Sequence, residues 1–375
     1  MSDRASPSWF QRFLLPGLAF KAVVIGGGYA TGRELAEFFL PSGPLGGLQG
    51  MVLAMLIWSI VCALTYAFAH LVKAYDYRTF FRELLGPFWV AFEVAWLALL
   101  ILILAVVSAA AGAIGASLFG WPDWIGTLVL AASIIGVTTG GTRAAEGLFR
   151  YSSTLIYSIY ALFLVLALLS FGDRIGPAFA RPVPTDGWAI AGVTYASYNV
   201  VAAAAILPFL RHLTSRRDAL IAGALSGPLA MLPAILFFLC MAAFHPEVGG
   251  EALPSDFLLR QIGLPWFHLL FQLMIFFALL ETGVGIVNAF QERLAAARGQ
   301  GQGAFASRLA VSAVLVLGSA FVASAVGLIG LIASGYSAFG WIMLILFVAP
   351  LITIGLWRLR RTPDLPHTLP PEAAS

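Results

Sequence analysis

The sequence predicts an all-α polytopic membrane protein of ten transmembrane helices, and three observations carry that expectation. Apolar residues make up 60% of the 375 and charged residues 10%, against roughly 45–50% and about 25% in an ordinary soluble domain. Apolar stretches follow one another almost end to end, each long enough for a crossing, which needs about 20 such residues. Arginine and lysine collect in alternate connectors. The composition excludes a water-soluble fold, the stretches give the number of crossings, and the basic residues orient them.

In chain order the spans are 13–40, 46–72, 86–118, 122–141, 149–171, 187–210, 218–244, 264–291, 306–327 and 329–357. The first begins near residue 13, runs well past the length of a signal-peptide core and carries Lys21, with no convincing cleavage site soon after, so it reads as a retained span. The last two share one apolar run of 52 residues punctuated only by Gly327 and Gly330. That is about twice one crossing, so a tight turn is expected there. Connectors that stay in the cytoplasm are enriched in Lys and Arg. One alternate set holds sixteen of them, among them Arg12, Arg78, Arg143, Arg216, Arg293 and Arg358; the opposite set holds three, Arg174, Arg181 and Arg260. Both termini are therefore expected in the cytoplasm, in a multi-pass protein of the cytoplasmic (inner) membrane whose partner is the lipid bilayer.

The chain then divides into a cytoplasmic N-terminus (1–12), a first set of five helices (13–172), an external connector (173–186), a second set of five (187–357) and a Pro-rich, disordered cytoplasmic tail (358–375). An odd number of crossings separates spans 1 and 6, so the two sets run in opposite directions, which is the arithmetic of a 5+5 inverted repeat. Scattered basic residues form no stripe that would track phosphates, so no nucleic acid is expected as a partner. Cys62 and Cys240 lie inside apolar stretches and match no metal-ligand spacing. The external segment SDFLLRQIG, within 245–263, has helical spacing and reads as a short helix across the outer mouth or as a plain loop.

Two spans are irregular at mid-depth. Span 1 carries Gly26, Gly27 and Gly28 at its midpoint and Gly32 one turn later. Each glycine costs about 1 kcal/mol relative to Ala in a helix interior, so three in a row favour a break, and a broken helix inside a bilayer implies a pocket. Close packing through small residues is the alternative. Span 6 holds Thr194, Tyr195, Ser197, Tyr198 and Asn199 between apolar arms. A polar cluster at that depth lines a cavity or forms a network between helices. The two stretches read as facing walls of one site for a small-molecule substrate.

Charged residues inside the spans add three expectations. Arg33, Glu34 and Glu37 follow the glycine break, with Arg33 and Glu37 at i, i+4, and read as an external gate or as a self-neutralised pair. Glu281 lies near the centre of span 8 beside Thr282 and reads as a proton relay or cation ligand, or as the partner of Lys21. Lys21 itself is shallow enough to snorkel to the headgroups. Glu93 reads as interfacial or paired, and neither it nor His268 takes a catalytic role.

The run GGGYATGRELAEFFLPSG, with SYNVV in span 6 and ETG in span 8, resembles the YkvI-like membrane proteins, an amino-acid-permease family of the amino acid, polyamine and organocation transporter superfamily. The resemblance implies the LeuT fold, with spans 1 and 6 unwound around a central site. Carried over by position, Gly26, Gly27, Gly28, Tyr29, Thr31 and Gly32 would hold the substrate, together with Tyr195, Ser197, Tyr198 and Asn199. Sodium-coupled members bind the ion through carbonyls of the first helix and hydroxyls of the eighth, which would place sodium at Gly26 and Thr282; the acidic Glu281 departs from that arrangement and favours a proton. The expected function is an ion-coupled secondary transporter of an amino acid or organic amine, with a solute receptor or uncoupled channel as the alternative. No enzyme constellation and no cofactor beyond a sodium ion or proton is expected, and the oligomeric state is not read from the sequence.

Overall fold

The computed structural model describes residues 7–25, 27–140, 142–297 and 305–362. Gly26 and the tail from residue 363 onward lie outside the described residues. Among the described residues every regular element is helical and no strand forms.

A π-helical turn, Phe10–Leu14, leads into α1 (Leu15–Val24), which stops at Ile25, where ψ is 70°. α2 (Gly27–Ala30) and α3 (Arg33–Phe38) continue the first span as two short pieces. They are separated at Gly32, which is left-handed with φ 76°. A Cβ there would be strained in that conformation and would meet the Phe237 ring at 2.5 Å. The first span is thus interrupted at the glycine run, as expected, and again at Gly32.

The long helices follow. α4 (Gly43–Val72) is succeeded by α5 (Tyr77–Leu85), whose N-cap Asp76 accepts a hydrogen bond from the Thr79 amide, as an N-cap carboxylate should. Next come α6 (Trp89–Phe119), α7 (Asp123–Thr139), α8 (Thr142–Phe171) and the short α9 (Ile175–Ala180). α10 (Trp188–Asn199) and α11 (Val201–Ala205) make up the sixth predicted span, which tightens to a 3₁₀ segment at Leu207–His212. The interruption between α10 and α11 is slight, because Val200 keeps φ −58° and ψ −21°. α12 (Arg216–Ala242) opens on Ser215, whose hydroxyl accepts from the Asp218 amide. α13 (Pro254–Ile262) shows that SDFLLRQIG is helical rather than a plain loop.

α14 (Pro265–Ala297) and α15 (Phe305–Gly330) complete the longest elements. Gly327, at φ 76° and ψ 163°, breaks the last apolar run where a turn was expected. Beyond it lie π-helical stretches, α16 (Ser337–Met343) and α17 (Leu356–Arg361).

Six helical stretches among the described residues are long and apolar enough to cross a bilayer: Arg33–Val72, Tyr77–Phe119, Ser158–Ala180, Arg216–Ala242, Pro265–Gln291 and Phe305–Arg361. The inside-out distribution of polarity agrees with that medium. Leu169, Val314 and Phe321 are exposed, whereas Arg33, Glu34, Asp218 and Asp256 are buried. Packing centres on α4, which lies against α12 and α10, while α6 lies against α7 and α15. The α4 and α10 backbones nearly touch, since a Cβ on Gly192 would sit 2.6 Å from the Gly50 carbonyl oxygen. Small residues at such seams let membrane helices gain dispersion energy across a wide contact.

Candidate functional site

A cavity of about 450 Å³ opens where the end of α1, the start of α3, α6, the α10–α11 junction, α14 and the π-helical stretch at Tyr336 converge. Its volume falls in the range of small-molecule pockets, roughly 300–1,000 Å³. The lining is mainly aliphatic, from Val24, Leu99, Ile103, Val107 and Ile286, and its polar groups are Glu34, Tyr198, Asn199, Glu281, Thr282 and Tyr336.

The polar end is built by residues far apart in sequence. The Tyr198 hydroxyl donates to Glu34 Oε2 at 2.7 Å, and the Tyr198 ring stacks on Tyr336 at 4.6 Å with 25° between planes. Tyr195 lies one turn back, edge-on to Tyr198 at 5.7 Å and packed on Phe39 and Trp58. Trp58 Nε1 donates to the Ala196 carbonyl at 3.2 Å. That bond pins the α10 backbone to α4 just before the cavity-facing residues.

The ten substrate positions expected from sequence separate in space. Tyr198 and Asn199 reach the cavity. Tyr195 supports it from behind, and Ser197 donates to the Val193 carbonyl at 2.6 Å instead of facing in. Gly27 and Gly28 open α2, Tyr29 and Thr31 are buried, and Gly32 packs on Phe237. Gly26, and with it half of the suggested sodium pair, lies outside the described residues. Glu281 and Thr282 both line the cavity, with the Thr282 hydroxyl donating to the Ala278 carbonyl at 3.0 Å.

The three residues grouped as a gate also divide. Arg33 pairs with Glu37, as the i, i+4 spacing implied, and its guanidinium donates to the carbonyls of Gly249 at 2.8 Å and Glu251 at 2.9 Å. Glu34 turns the other way, into the cavity. The connector that Arg33 grips is held twice more. The Ser255 amide donates to the Thr31 carbonyl at 3.0 Å. Buried Asp256 is met by Ser117, His268, Gln272 and Arg260 within 3.1 Å. At the other end of α12, Arg12 donates twice to Asp218, at 2.8 Å each. Glu93 is paired with Arg293 at 3.2 Å.

Sequence reasoning missed Tyr336 and the aliphatic wall from α6. Tyr336 carried a usable signal, a tyrosine flanked by Gly335 and two serines within an apolar run. The α6 wall carried none, because its residues match any lipid-facing helix.

No family model matches the chain. Its sequence is similar to that of YkvI, an uncharacterized membrane protein of Bacillus subtilis (strain 168), at 26% identity over 335 residues, which cover 87% of this chain and 92% of the relative. Among solved structures it resembles MhsT in complex with L-phenylalanine, with a TM-score of 0.58 and 15% identity over 95% of this chain and 98% of the other. It also resembles a manganese transporter of Eremococcus coleocola bound to an aromatic bis-isothiourea compound, with a TM-score of 0.55 and 15% identity over 90% and 77% of the two chains. A Na⁺-coupled sialic acid symporter in its substrate-bound outward-open state gives a TM-score of 0.53 and 12% identity over 94% and 82%. The chain thus has the LeuT fold of these solved transporters, and along most of its length its sequence is similar to YkvI.

Proposed function

We propose that this chain is an ion-coupled secondary transporter of a small organic solute, working by alternating access. The observation that carries the reading is the cavity itself. It is closed in by the broken first helix, by α10–α11 and by α14, and it holds two carboxylates amid aliphatic walls. Irregular backbone at membrane depth is tolerated where it lines such a cavity. The fold shared with solved transporters supports the same reading.

In this proposal ten spans form two inverted sets of five, 13–172 and 187–357, joined by the external connector 173–186. Both termini, residues 1–12 and 358–375, lie in the cytoplasm of a cell whose inner membrane holds the protein. Arg33 and Glu37 act at the outer side and the cavity binds the solute. Glu281 and Thr282 couple it to an ion, with a proton favoured over sodium because a carboxylate carries a proton without further ligands. Gly26 would add a carbonyl to a sodium site.

Uptake into proteoliposomes under imposed proton or sodium gradients tests this. Accumulation driven by one gradient is expected, and Glu281→Gln is expected to abolish its dependence on that gradient. Binding without gradient-driven accumulation would instead make the chain a receptor or an uncoupled channel.

A further inference from the structure

The connector between α4 and α6 carries a basic face that the proposed transport cycle leaves unused. α5 is amphipathic. Phe80, Phe81 and Leu84 are buried, with Phe81 stacked on Phe92 and Phe80 edge-on to Phe68. Arg78 and Arg82 are exposed, and their i, i+4 spacing puts them on one side of the helix. They meet a matching pair on α6. The Arg82 guanidinium lies 4.6 Å over the Trp89 ring, and Arg78 stands 3.8 Å from Glu93, one turn further along α6.

The neighbouring carboxylates do not neutralise this face. Glu93 is held by Arg293 at 3.2 Å as well as meeting Arg78, and Glu83 is taken by Arg358 at 3.0 Å. Among the described residues Arg82 forms no ion pair. A guanidinium held over a ring still offers its in-plane N–H donors, whose fork matches a phosphate bidentately.

Beside the arginines the surface turns apolar. Phe88 is 73% exposed, and Val90, Val94, Ala98 and Ile101 form an exposed stripe down α6. Cationic groups, an indole and then hydrocarbon follow one another along a single surface, the order in which a phospholipid presents its phosphate, its glycerol and its acyl chains. Tryptophan is enriched at that boundary, and basic residues there attract anionic lipids.

From this arrangement we propose that Arg78, Arg82 and Trp89 seat the headgroup of an anionic phospholipid, one of whose acyl chains lies along the Val90–Ile101 stripe of α6. The inference goes beyond the transport reading. Its assignment to the cytoplasmic leaflet rests on the proposed orientation, whereas the seat does not.

The purified full chain in neutral detergent is titrated with dioleoyl phosphatidylglycerol, with dioleoyl phosphatidylcholine and with glycerol 1-phosphate. Lipid retained on the protein is counted by native mass spectrometry, and melting is followed in parallel. Phosphatidylglycerol is expected to stay bound and to raise the melting temperature; the other two are expected to do neither. An arginine near an anionic lipid is worth about fivefold in affinity, so Arg82→Gln should weaken binding by about that factor and Arg78→Gln with Arg82→Gln by about 25-fold. Arg211→Gln with Arg217→Gln removes as much charge from exposed positions outside the seat and should leave binding unchanged. If the double variant at 78 and 82 fails to fold, Arg82→Gln alone, an exposed change, carries the test.

Equal retention of phosphatidylcholine overturns the inference, as does unchanged binding in Arg82→Gln. An equal loss in the Arg211 and Arg217 variant would reduce the effect to general surface charge and overturn it too. Stabilisation by glycerol 1-phosphate that matches phosphatidylglycerol would give the seat to a soluble phosphate and reject the lipid. Binding in detergent is read without reference to orientation or uptake, so its failure leaves the transport reading standing.

Discussion

Replacing Arg33 by alanine removes the fastening between the broken first helix and the connector at 245–263. The side chain is 4% exposed, and its guanidinium holds the Gly249 and Glu251 carbonyls at 2.8 and 2.9 Å and the Glu37 carboxylate. Hydrogen bonds with a charged partner contribute about 1.5–3 kcal/mol each. Three of them would sum to about 4.5–9 kcal/mol, but Glu37 is a quarter exposed and Gly249 and Glu251 are only half-buried. Water can therefore reach the acceptors once the arginine is gone. A loss of about 3 kcal/mol is the expected magnitude, or about 6 °C at roughly 2 °C per kcal/mol for a chain of this size. Thermal melting in detergent measures the first quantity, and amide hydrogen exchange across 245–263 measures the second consequence, faster opening of the connector. Arg33→Lys should fall between, because one ammonium cannot reproduce the guanidinium fork. Unchanged melting together with unchanged exchange in Arg33→Ala would refute the fastening.

The α4–α10 seam and the connector at 245–263 give two further expectations. Gly192→Ala places a Cβ 2.6 Å from the Gly50 carbonyl oxygen, a backbone atom that cannot swing aside, so a destabilisation of about 1–3 kcal/mol is expected from overpacking; Gly318→Ala, with open space around it, should melt like the parent, and equal melting of both variants would show that the seam has slack. His245 lies just beyond the end of α12, and burial, with Arg181 nearby, holds its pKa below the usual histidine value. The unfolded chain then binds the proton more readily, so this contribution to stability is present above about pH 6.5 and is lost as pH falls through the depressed value. Melting curves from pH 8 to pH 5 should decline less steeply in His245→Gln, and identical slopes would remove His245 as the cause.

Which parts of this arrangement were legible in the sequence follows from what each residue type must satisfy locally. Three glycines at mid-span predict a break because their cost is local, and α1 does stop at Ile25. Gly327 marks the turn in the last run for the same reason. The helix over 254–262 is local as well, since its spacing and its glycine C-cap lie within one short segment. The polar cluster in span 6 was legible as a group but not residue by residue. Ser197 satisfies its hydroxyl on the Val193 carbonyl one turn back, and Thr282 does the same on Ala278. Such back-bonding lets a hydroxyl sit at membrane depth without facing any site. Tyr198 has no acceptor of that kind within its own turn, and it finds Glu34, 164 residues away.

Grouping Arg33, Glu34 and Glu37 into one gate ignored the helix that carries them. With 3.6 residues per turn, positions 33 and 37 share a face while 34 lies about 100° around. The structure follows that rule, giving Arg33 and Glu37 to the connector and Glu34 to the cavity. The division has a mechanical consequence. α3 has only six residues between the left-handed Gly32 and the turn at Phe39, too short to bend internally, so it moves as one piece. A displacement that frees Arg33 from the Gly249 and Glu251 carbonyls must also shift Glu34 relative to Tyr198. Conversely, a solute that draws Glu34 toward the cavity would pull on the fastening of the connector at 245–263. In the proposed transport cycle, occupancy of the cavity and release of the connector at 245–263 are therefore coupled through one short half-helix.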